Sequence, residues 1–339
     1  MTRERFREIT RGFSNLRAVV LGDFCLDRYF DLQNPTGEIS IETGLPVHNV
    51  ARVRNQPGGA GTIVNNLSAL GMGAIYPIGF AGMDGEGFEL IKALRETPRV
   101  ETELFLQSEL RRTFTYLKPM LPDDGFATEL NRFDLKNHSP TPEELTEELR
   151  QQIRGAITDA DIVILLSQVD ESQNGVLNPG MLEELHRLRN HFKDKTVIGD
   201  SRSGFEGWPK VHLKMNRDEL GRMMDMELES LDETRSAAET LAKELDQTIT
   251  VTLSEQGILH AAPGVEAVHQ ESFPIKGDFD VVGAGDSVTA TLAASLQAGA
   301  TVEEALALSM AAASTVLHQT GTTGTAKLGQ MEDLLETLW

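Results

Sequence analysis

Short runs rich in Val, Ile and Leu alternate with helical stretches along most of this chain, and that alternation restricts the fold more than any other feature. Strand-like runs occur at 18–21, 75–79, 161–166, 195–200, 211–215 and 248–253. Helical patterns occupy about 62–70, 179–192 and 231–245, and the turn from Gly82 to Gly87 leads into another helix. The first residues read as an amphipathic helix. Runs apolar on both sides belong to strands covered on both faces, and parallel strands need crossovers that are usually helical. The expected fold is therefore α/β, with a mainly parallel central sheet between helical layers. No linker divides the chain, so residues 1–339 are read as a single domain.

Two segments break the rhythm. Residues 30–56 have strand character but no helix between, and residues 110–134 read as a hairpin around the turn Pro122-Asp-Asp-Gly125. Together they are expected to form a small β-sheet over the strand ends, serving as a lid, a dimer surface or both.

Composition narrows the partners. The formal net charge is −21, which disfavours nucleic acid and anionic membranes as partners of the surface as a whole. The lone cysteine, Cys25, has no internal disulfide partner and falls in an apolar run where it is expected to pack. The first residues lack an apolar run of signal-peptide type, and no stretch has the apolar length of a membrane span. A cytoplasmic location is expected.

The chemistry concentrates in Asp280-Val-Val-Gly283-Ala284-Gly285-Asp286, which runs into the helical pattern Ser-Val-Thr-Ala-Thr-Leu. Glycines let the main chain take unusual angles and approach a ligand closely. The first-turn amides of a helix lack internal partners and face the positive end of its dipole, which makes them a seat for phosphate. Asp286 beside them is placed to take a proton from a hydroxyl. A cradle next to a base points to phosphoryl transfer onto an alcohol. The plainer alternative is a glycine turn with an aspartate cap.

Further motifs accompany this one. They include Gly22-Asp23-Phe-Cys-Leu-Asp27-Arg28-Tyr29, Pro57-Gly58-Gly59-Ala60 with Asn66-Leu-Ser-Ala-Leu-Gly71, and Gly79-Phe-Ala-Gly82-Met-Asp84. Later come Asn216-Arg-Asp-Glu219, Thr252-Leu-Ser254-Glu-Gln-Gly257 and the run 311–321. In order and spacing the chain resembles the ribokinase-like (PfkB) carbohydrate kinases, and among them most closely the heptose-phosphate kinase domains. The resemblance implies a three-layer α/β/α sandwich with a small β-sheet lid that often forms a homodimer contact. It implies ATP and Mg2+ as cofactors and leaves room for a monovalent cation such as K+. Asp286 would be the catalytic base, and Gly283, Ala284 and Gly285 the anion hole. Asn216 and Glu219 would position magnesium and the nucleotide phosphates, with Glu219 nearest the metal. Thr252, Ser254, Gly257 and Asp280 would border the nucleotide. Asp23, Asp27, Gly58, Gly59 and Asn66 would form the sugar end. The implied reaction is ATP-dependent phosphorylation of a sugar or sugar-phosphate hydroxyl, with heptose 7-phosphate at its anomeric position as one candidate. A phosphate on the acceptor would meet Arg111, Arg112, Lys118 or Arg202.

Several positions depart from the family pattern. Val281 and Val282 stand where a hydroxyl residue is usual, Gly61-Thr62 replaces a small residue followed by Asn, and Gln168-Val169-Asp170 replaces an Asp-Tyr pair. These changes bear on the acceptor and phosphate contacts more than on the base. Two alternatives stay open: a sugar- or nucleotide-binding protein of this fold that has lost catalysis, and a kinase of nucleosides or other small alcohols. A dinucleotide oxidoreductase is disfavoured, because no Gly-x-Gly-x-x-Gly turn follows the first strand.

Overall fold

The computed structural model describes all residues except 36, 123–126, 275, 276, 278, 320 and 337–339. Its main sheet contains β1 (Arg17–Gly22), β4 (Ala74–Ile78), β10 (Ile162–Ser167), β11 (Thr196–Ser201), β12 (His212–Asn216), β13 (Ile249–Thr252), β14 (Ile258–Ala262) and β15 (Val265–Gln270). The order is β15-β14-β13-β12-β11-β10-β1-β4. From β4 to β13 neighbouring strands are parallel, whereas β14 and β15 add an antiparallel hairpin at one edge.

Alternate residues of the central strands point to opposite faces, and both faces are apolar. Val20, Ile162, Ile164 and Ile198 join one core, which packs against α1 (Arg3–Gly12), α2 (Ala60–Ala69), α3 (Gly85–Glu96), α8 (Ala284–Gln297), α9 (Val302–Leu317) and α10 (Leu328–Glu336). Val19, Leu21, Val163 and Leu165 join the other, under α4 (Glu143–Ala156), α5 (Pro179–Leu188), α6 (Arg217–Met224) and α7 (Leu231–Leu245). Burial of each such side chain is worth about 1.5–3 kcal/mol, so the two-sided core stabilises the sheet through its middle strands. The helix starts are chemically marked. Asn178 caps α5 ahead of Pro179, and capping boxes begin α7 (Ser230 with Glu233) and α9 (Thr301 with Glu304).

The expected accessory sheet is present and larger than expected. It contains β2 (Phe24–Leu32), β3 (Val50–Gly59), β7 (Phe114–Pro122), β8 (Ala127–Glu129) and β9 (Phe133–Leu135), with β2 central between β3 and β7. It begins at Phe24 rather than near residue 30 because Phe24, Cys25 and Leu26 bury their side chains as strand residues directly after β1. β8 and β9 both return antiparallel to β7, as a hairpin requires. Residues 123–125 of the expected turn lie outside the described residues. A two-stranded parallel pair, β5 (Phe80–Gly82) with β6 (Leu106–Ser108), completes the strands. The C-terminal ends of β1, β10, β11, β12 and β13 thus open beneath the accessory sheet, at the edge where α/β folds bind ligands.

Candidate active site

The first turn of α8 is built as the sequence suggested. Gly283 is its N-cap, with φ 83° in the left-handed region, and a Cβ there would meet Thr62 Cγ2 at 3.4 Å. Ala284, Gly285 and Asp286 follow as the first three helical residues, so their amides have no partner within the helix. Asp280 stabilises the approach to this turn. Its two carboxylate oxygens accept from the Val282 amide at 3.0 Å and the Gly321 amide at 3.2 Å. Asp280 thus clamps this loop, with one backbone donor on each carboxylate oxygen.

A cavity of about 590 Å³ joins the strand ends to the accessory sheet, with Asp286, Gly283 and Gly285 in its wall. Asp286 keeps part of its surface open to this space, while protein surrounds the carboxyl on its other sides. Burial, and then the neighbouring Asp200 carboxylate, push its pKa up from 3.8 to about 7, against the pull of Lys214. Asp200 on β11 and Lys214 on β12 are register partners, joined at 2.8 Å, and Asp200 also accepts from Thr289 Oγ1 of α8 at 3.1 Å. The sequence reading did not single out Lys214. The signal was available: a lysine in the middle of the apolar run Val-His-Leu-Lys-Met.

At the accessory-sheet end, Asp27 pairs with Lys118 at 3.1 Å, and Lys118 donates to the Tyr29 hydroxyl at 3.3 Å. Burial raises the Asp27 pKa in spite of this partner. Gly58 leaves room for that carboxylate: a Cβ there would strike Asp27 and lie 2.7 Å from Cys25 Sγ. Gly59 reaches the cavity wall with φ 58°. Cys25 is buried and its sulfur faces the same floor.

Two residues expected at the sugar end are used elsewhere. Asp23 accepts from the amides of Gln168 (2.8 Å), Val169 (3.3 Å) and Val176 (2.7 Å), and so organises the loop after β10. Asn66 is fully buried, donating to Thr62 O at 2.9 Å and accepting from the Ala326 amide at 3.0 Å, which ties α2 to the C-terminal segment. Neither lines the cavity. Both are short polar side chains whose hydrogen-bonding capacity is taken by local backbone.

The candidate phosphate contacts divide in the same way. Lys118 and Arg202 line the cavity, joined by Arg132 and Lys136, which the sequence reading missed. The Gln168 carbonyl, in the amide orientation that satisfies both groups, accepts from Arg202, with 3.0 Å to Nε. Arg111 instead donates to the carbonyls of Ser139 (2.8 Å) and Asn174 (2.6 Å) beneath the surface. Arg112 is exposed near Asp84 and Glu86. Neither reaches the cavity, because backbone carbonyls hold the first and solvent the second.

On the other side of Gly285 lies a mainly apolar cavity of about 410 Å³, bordered by Phe273, Phe279, Val288, Met310 and Leu317. Thr252, Val281 and Gly285 belong to the walls of both cavities. Ser254 and Gly257 stand on the apolar side. Gly257 has φ 97°, and a side chain there would collide with the Gln270 carbonyl. Asn216 and Glu219 form a reciprocal capping box at the start of α6, with bonds of 2.8 and 2.7 Å, and both also line the larger cavity. Burial raises the Glu219 pKa, and the Asn216 amide opposes it. Among the described residues there is no group of three or more His, Cys, Asp or Glu able to hold a metal alone. A single carboxylate beside a phosphate seat suits Mg2+, which is commonly held by one or two carboxylates, waters and substrate phosphates.

The description of the pfkB family carbohydrate kinases matches residues 16–327. The chain belongs to this family. Among curated relatives, it is similar to the bifunctional protein HldE of Bradyrhizobium sp. (strain ORS 278), 30% identical over 94% of this chain and 63% of that protein. It is 28% identical to the HldE of Gluconobacter oxydans (strain 621H) over 95% of this chain and 65% of that protein. It thus spans less than two thirds of the length of these relatives. Among solved structures, phosphofructokinase-2 from Escherichia coli in complex with potassium superposes with a TM-score of 0.73 at 20% identity, over 95% of this chain and 99% of that one. Arabidopsis thaliana ribokinase complexed with ribose and ATP gives 0.70 at 19%, over 95% and 98%. These likenesses agree with the ribokinase-like fold. As a pfkB kinase, the chain is an enzyme that phosphorylates a carbohydrate.

Proposed function

We propose that this kinase transfers the γ-phosphoryl group of ATP to a hydroxyl of a phosphorylated sugar. The observation that carries the reading is Asp286 at the head of α8, its pKa pushed up to about 7, in the wall of a polar, charge-lined cavity that adjoins an apolar one across Gly285. The adenine ring suits the apolar cavity, and the acceptor suits the larger one. Asp286 takes the acceptor's hydroxyl proton as that oxygen bonds to the γ-phosphorus. The bond from phosphorus to the β–γ bridging oxygen breaks, and ADP leaves with its electron pair. The amide of Gly285 receives the charge on the transferred group, and positioning supplies much of the rate. Bound magnesium would neutralise phosphate charge, with Glu219, capped by Asn216, as its protein ligand. For a monovalent cation such as K+ the side-chain donors fit poorly, since Val281 and Val282 carry no hydroxyl and Asp280 is already clamped.

Asp27 and the backbone at Gly59 suit a polyhydroxylated acceptor, because an ionised carboxylate accepts from hydroxyls. Lys118, Arg132, Lys136 and Arg202 favour an acceptor that bears its own phosphate. Heptose 7-phosphate, phosphorylated at its anomeric hydroxyl, is the first candidate. A reaction fed by ATP suits the cytoplasm, and the exposed Val53 of β3, with Ile41 and Leu45 of the segment between β2 and β3, suits a homodimer contact. The test is ADP release from Mg-ATP across sugars and sugar phosphates, with Asp286→Asn as control. Turnover confined to phosphorylated acceptors and lost in the variant is expected. Turnover that survives in Asp286→Asn refutes the base, and ATP binding without any turnover favours a binding-only role.

A further inference from the structure

The accessory sheet reaches the glycine cradle through a loop near the other end of the chain. On β2 and β3, Asp27 stands opposite Gln56, and Tyr29 opposite Arg54. Directly opposite residues of antiparallel strands share one face of the sheet, so these four side chains are neighbours. Arg54 and Gln56 then cross to residues 321–323. Arg54 Nη1 donates to the Gly321 carbonyl at 2.8 Å, while Nε and Nη2 each hold an oxygen of Asp31 at 2.8 Å. The Arg54 guanidinium lies 4.6 Å from the centre of the Tyr29 ring, and Lys118 Nζ, the partner of Asp27, lies 4.8 Å from the same ring. The Gln56 side chain spans the loop. Its oxygen accepts from the Thr323 amide at 3.1 Å and from Thr323 Oγ1 at 2.9 Å, and its nitrogen donates to Thr322 Oγ1 at 2.6 Å.

That loop backs the cradle. The Gly321 amide donates to Asp280, whose other oxygen holds the Val282 amide. A Cβ on Gly283 would lie 3.7 Å from Thr323 Cα and 3.8 Å from the Gly324 nitrogen. Asp27 and Gly283 therefore stand at the two ends of one continuous series of contacts, with Arg54 in its middle. A guanidinium fork suits that place, because its fixed plane binds two partners in set directions. We infer that Arg54, supported by Gln56, is the positioning residue of the phosphoryl cradle. Arg54 lines neither cavity. It fixes Gly321, Gly321 fixes Asp280, and Asp280 sets the angle at which Gly283 starts α8. An acceptor that engages Asp27 bears on the same strand face, so the seat of the transferred group is aligned from the acceptor's side. The catalytic consequence rests on the kinase reading above: a displacement of about 1 Å at the reacting centre can cost about 100-fold in rate.

The test has two arms, run on the wild type, Arg54→Ala, Arg54→Lys and Gln56→Ala. The first is hydrogen exchange of the ligand-free protein, read by mass spectrometry over residues 280–287, 321–325 and, as a reference, α7. Arg54→Ala should speed exchange in the first two segments and leave α7 unchanged. Gln56→Ala should do the same to a smaller extent. The second arm is steady-state kinetics with the acceptor that the substrate panel identifies. Arg54→Ala should lower kcat about 10- to 100-fold with KM for ATP and acceptor within about 3-fold of the wild type, and Arg54→Lys should recover part of the loss. Unchanged exchange over 280–287 in both alanine variants overturns the inference. So does loosening that reaches α7 equally, which makes Arg54 a general stabiliser, or a raised acceptor KM at unchanged kcat, which makes it part of the acceptor site. If the panel yields no acceptor, the kinase reading fails, and the exchange arm alone decides whether Arg54 holds the cradle.

Discussion

Asn in place of Asp286 should make the protein inactive and, at neutral pH and above, more stable. In the folded chain the carboxyl titrates near pH 7 rather than at its ordinary 3.8, because burial and Asp200 oppose its charge. In the unfolded chain it loses its proton near the ordinary value. Between these two points the folded state holds a proton that the unfolded state has released, so stability falls as pH rises. The loss accumulates at up to about 1.4 kcal/mol per pH unit and is complete above the folded pKa. Its full size is about 4 kcal/mol at about 1.36 kcal/mol per unit, and the opening to the cavity reduces this toward about 2 kcal/mol. Asparagine has nearly the same shape and cannot ionise. Urea unfolding of both proteins from pH 4 to 8.5 should therefore give curves that coincide at the acid end and separate up to about pH 7. Above that the gap stays constant at about 2–4 kcal/mol in favour of the variant. A gap independent of pH, or a less stable variant at pH 8, would refute the argument that this carboxylate is held ionised against its surroundings.

The acid limb of kcat/KM should fall near pH 7 and move to lower pH in Asp200→Asn, since Asp200 is the second cause of the raised value; an unmoved limb in a pH–rate profile contradicts this. Asp23→Ala should cost about 1–3 kcal/mol in denaturant titrations by leaving the buried Val176 amide and the half-buried Gln168 and Val169 amides without their carboxylate, whereas Asp27→Asn should chiefly raise the acceptor KM. His212 and His260, linked through Thr250 with their pKa values pushed down to about 3 and about 4 by burial, are kept neutral in the fold. Protons taken up by the unfolded chain below its ordinary 6.5 should therefore erode stability as pH falls, and His212→Gln should lessen that erosion in thermal melts from pH 7 to 4.5. Val53→Glu should lower the mass measured by sedimentation from dimer to monomer if the accessory sheet is the contact, and an unchanged dimer would place it elsewhere.

The central sheet was legible because its burial is periodic. Val19 and Leu21 face one core, Val20 the other, and only a strand covered on both sides is apolar at every position. The edge hairpin of β14 and β15 was passed over, although Pro263-Gly264 between its strands is a turn signal and Gly264 has φ 73°. The α8 cradle was legible because glycine at a left-handed N-cap has few substitutes. Asp23, Asn66 and Asp280 could not be placed from sequence. A short polar side chain looks the same whether it meets a sugar or three backbone amides, and only the fold says which donors surround it. Lys214 was overlooked for the converse reason: a charge amid apolar residues reads as an interruption until its partner on the next strand is known.

Thr252, Val281 and Gly285 stand between the apolar chamber and the polar, charge-lined one. A partition only a few residues thick lets donor and acceptor be resident together, each touching the same helix end from its own side. Phosphorus then has no need to rest on the enzyme between departure and arrival. Initial-rate lines for ATP and acceptor should intersect rather than run parallel, and each product should compete with the substrate whose chamber it vacates.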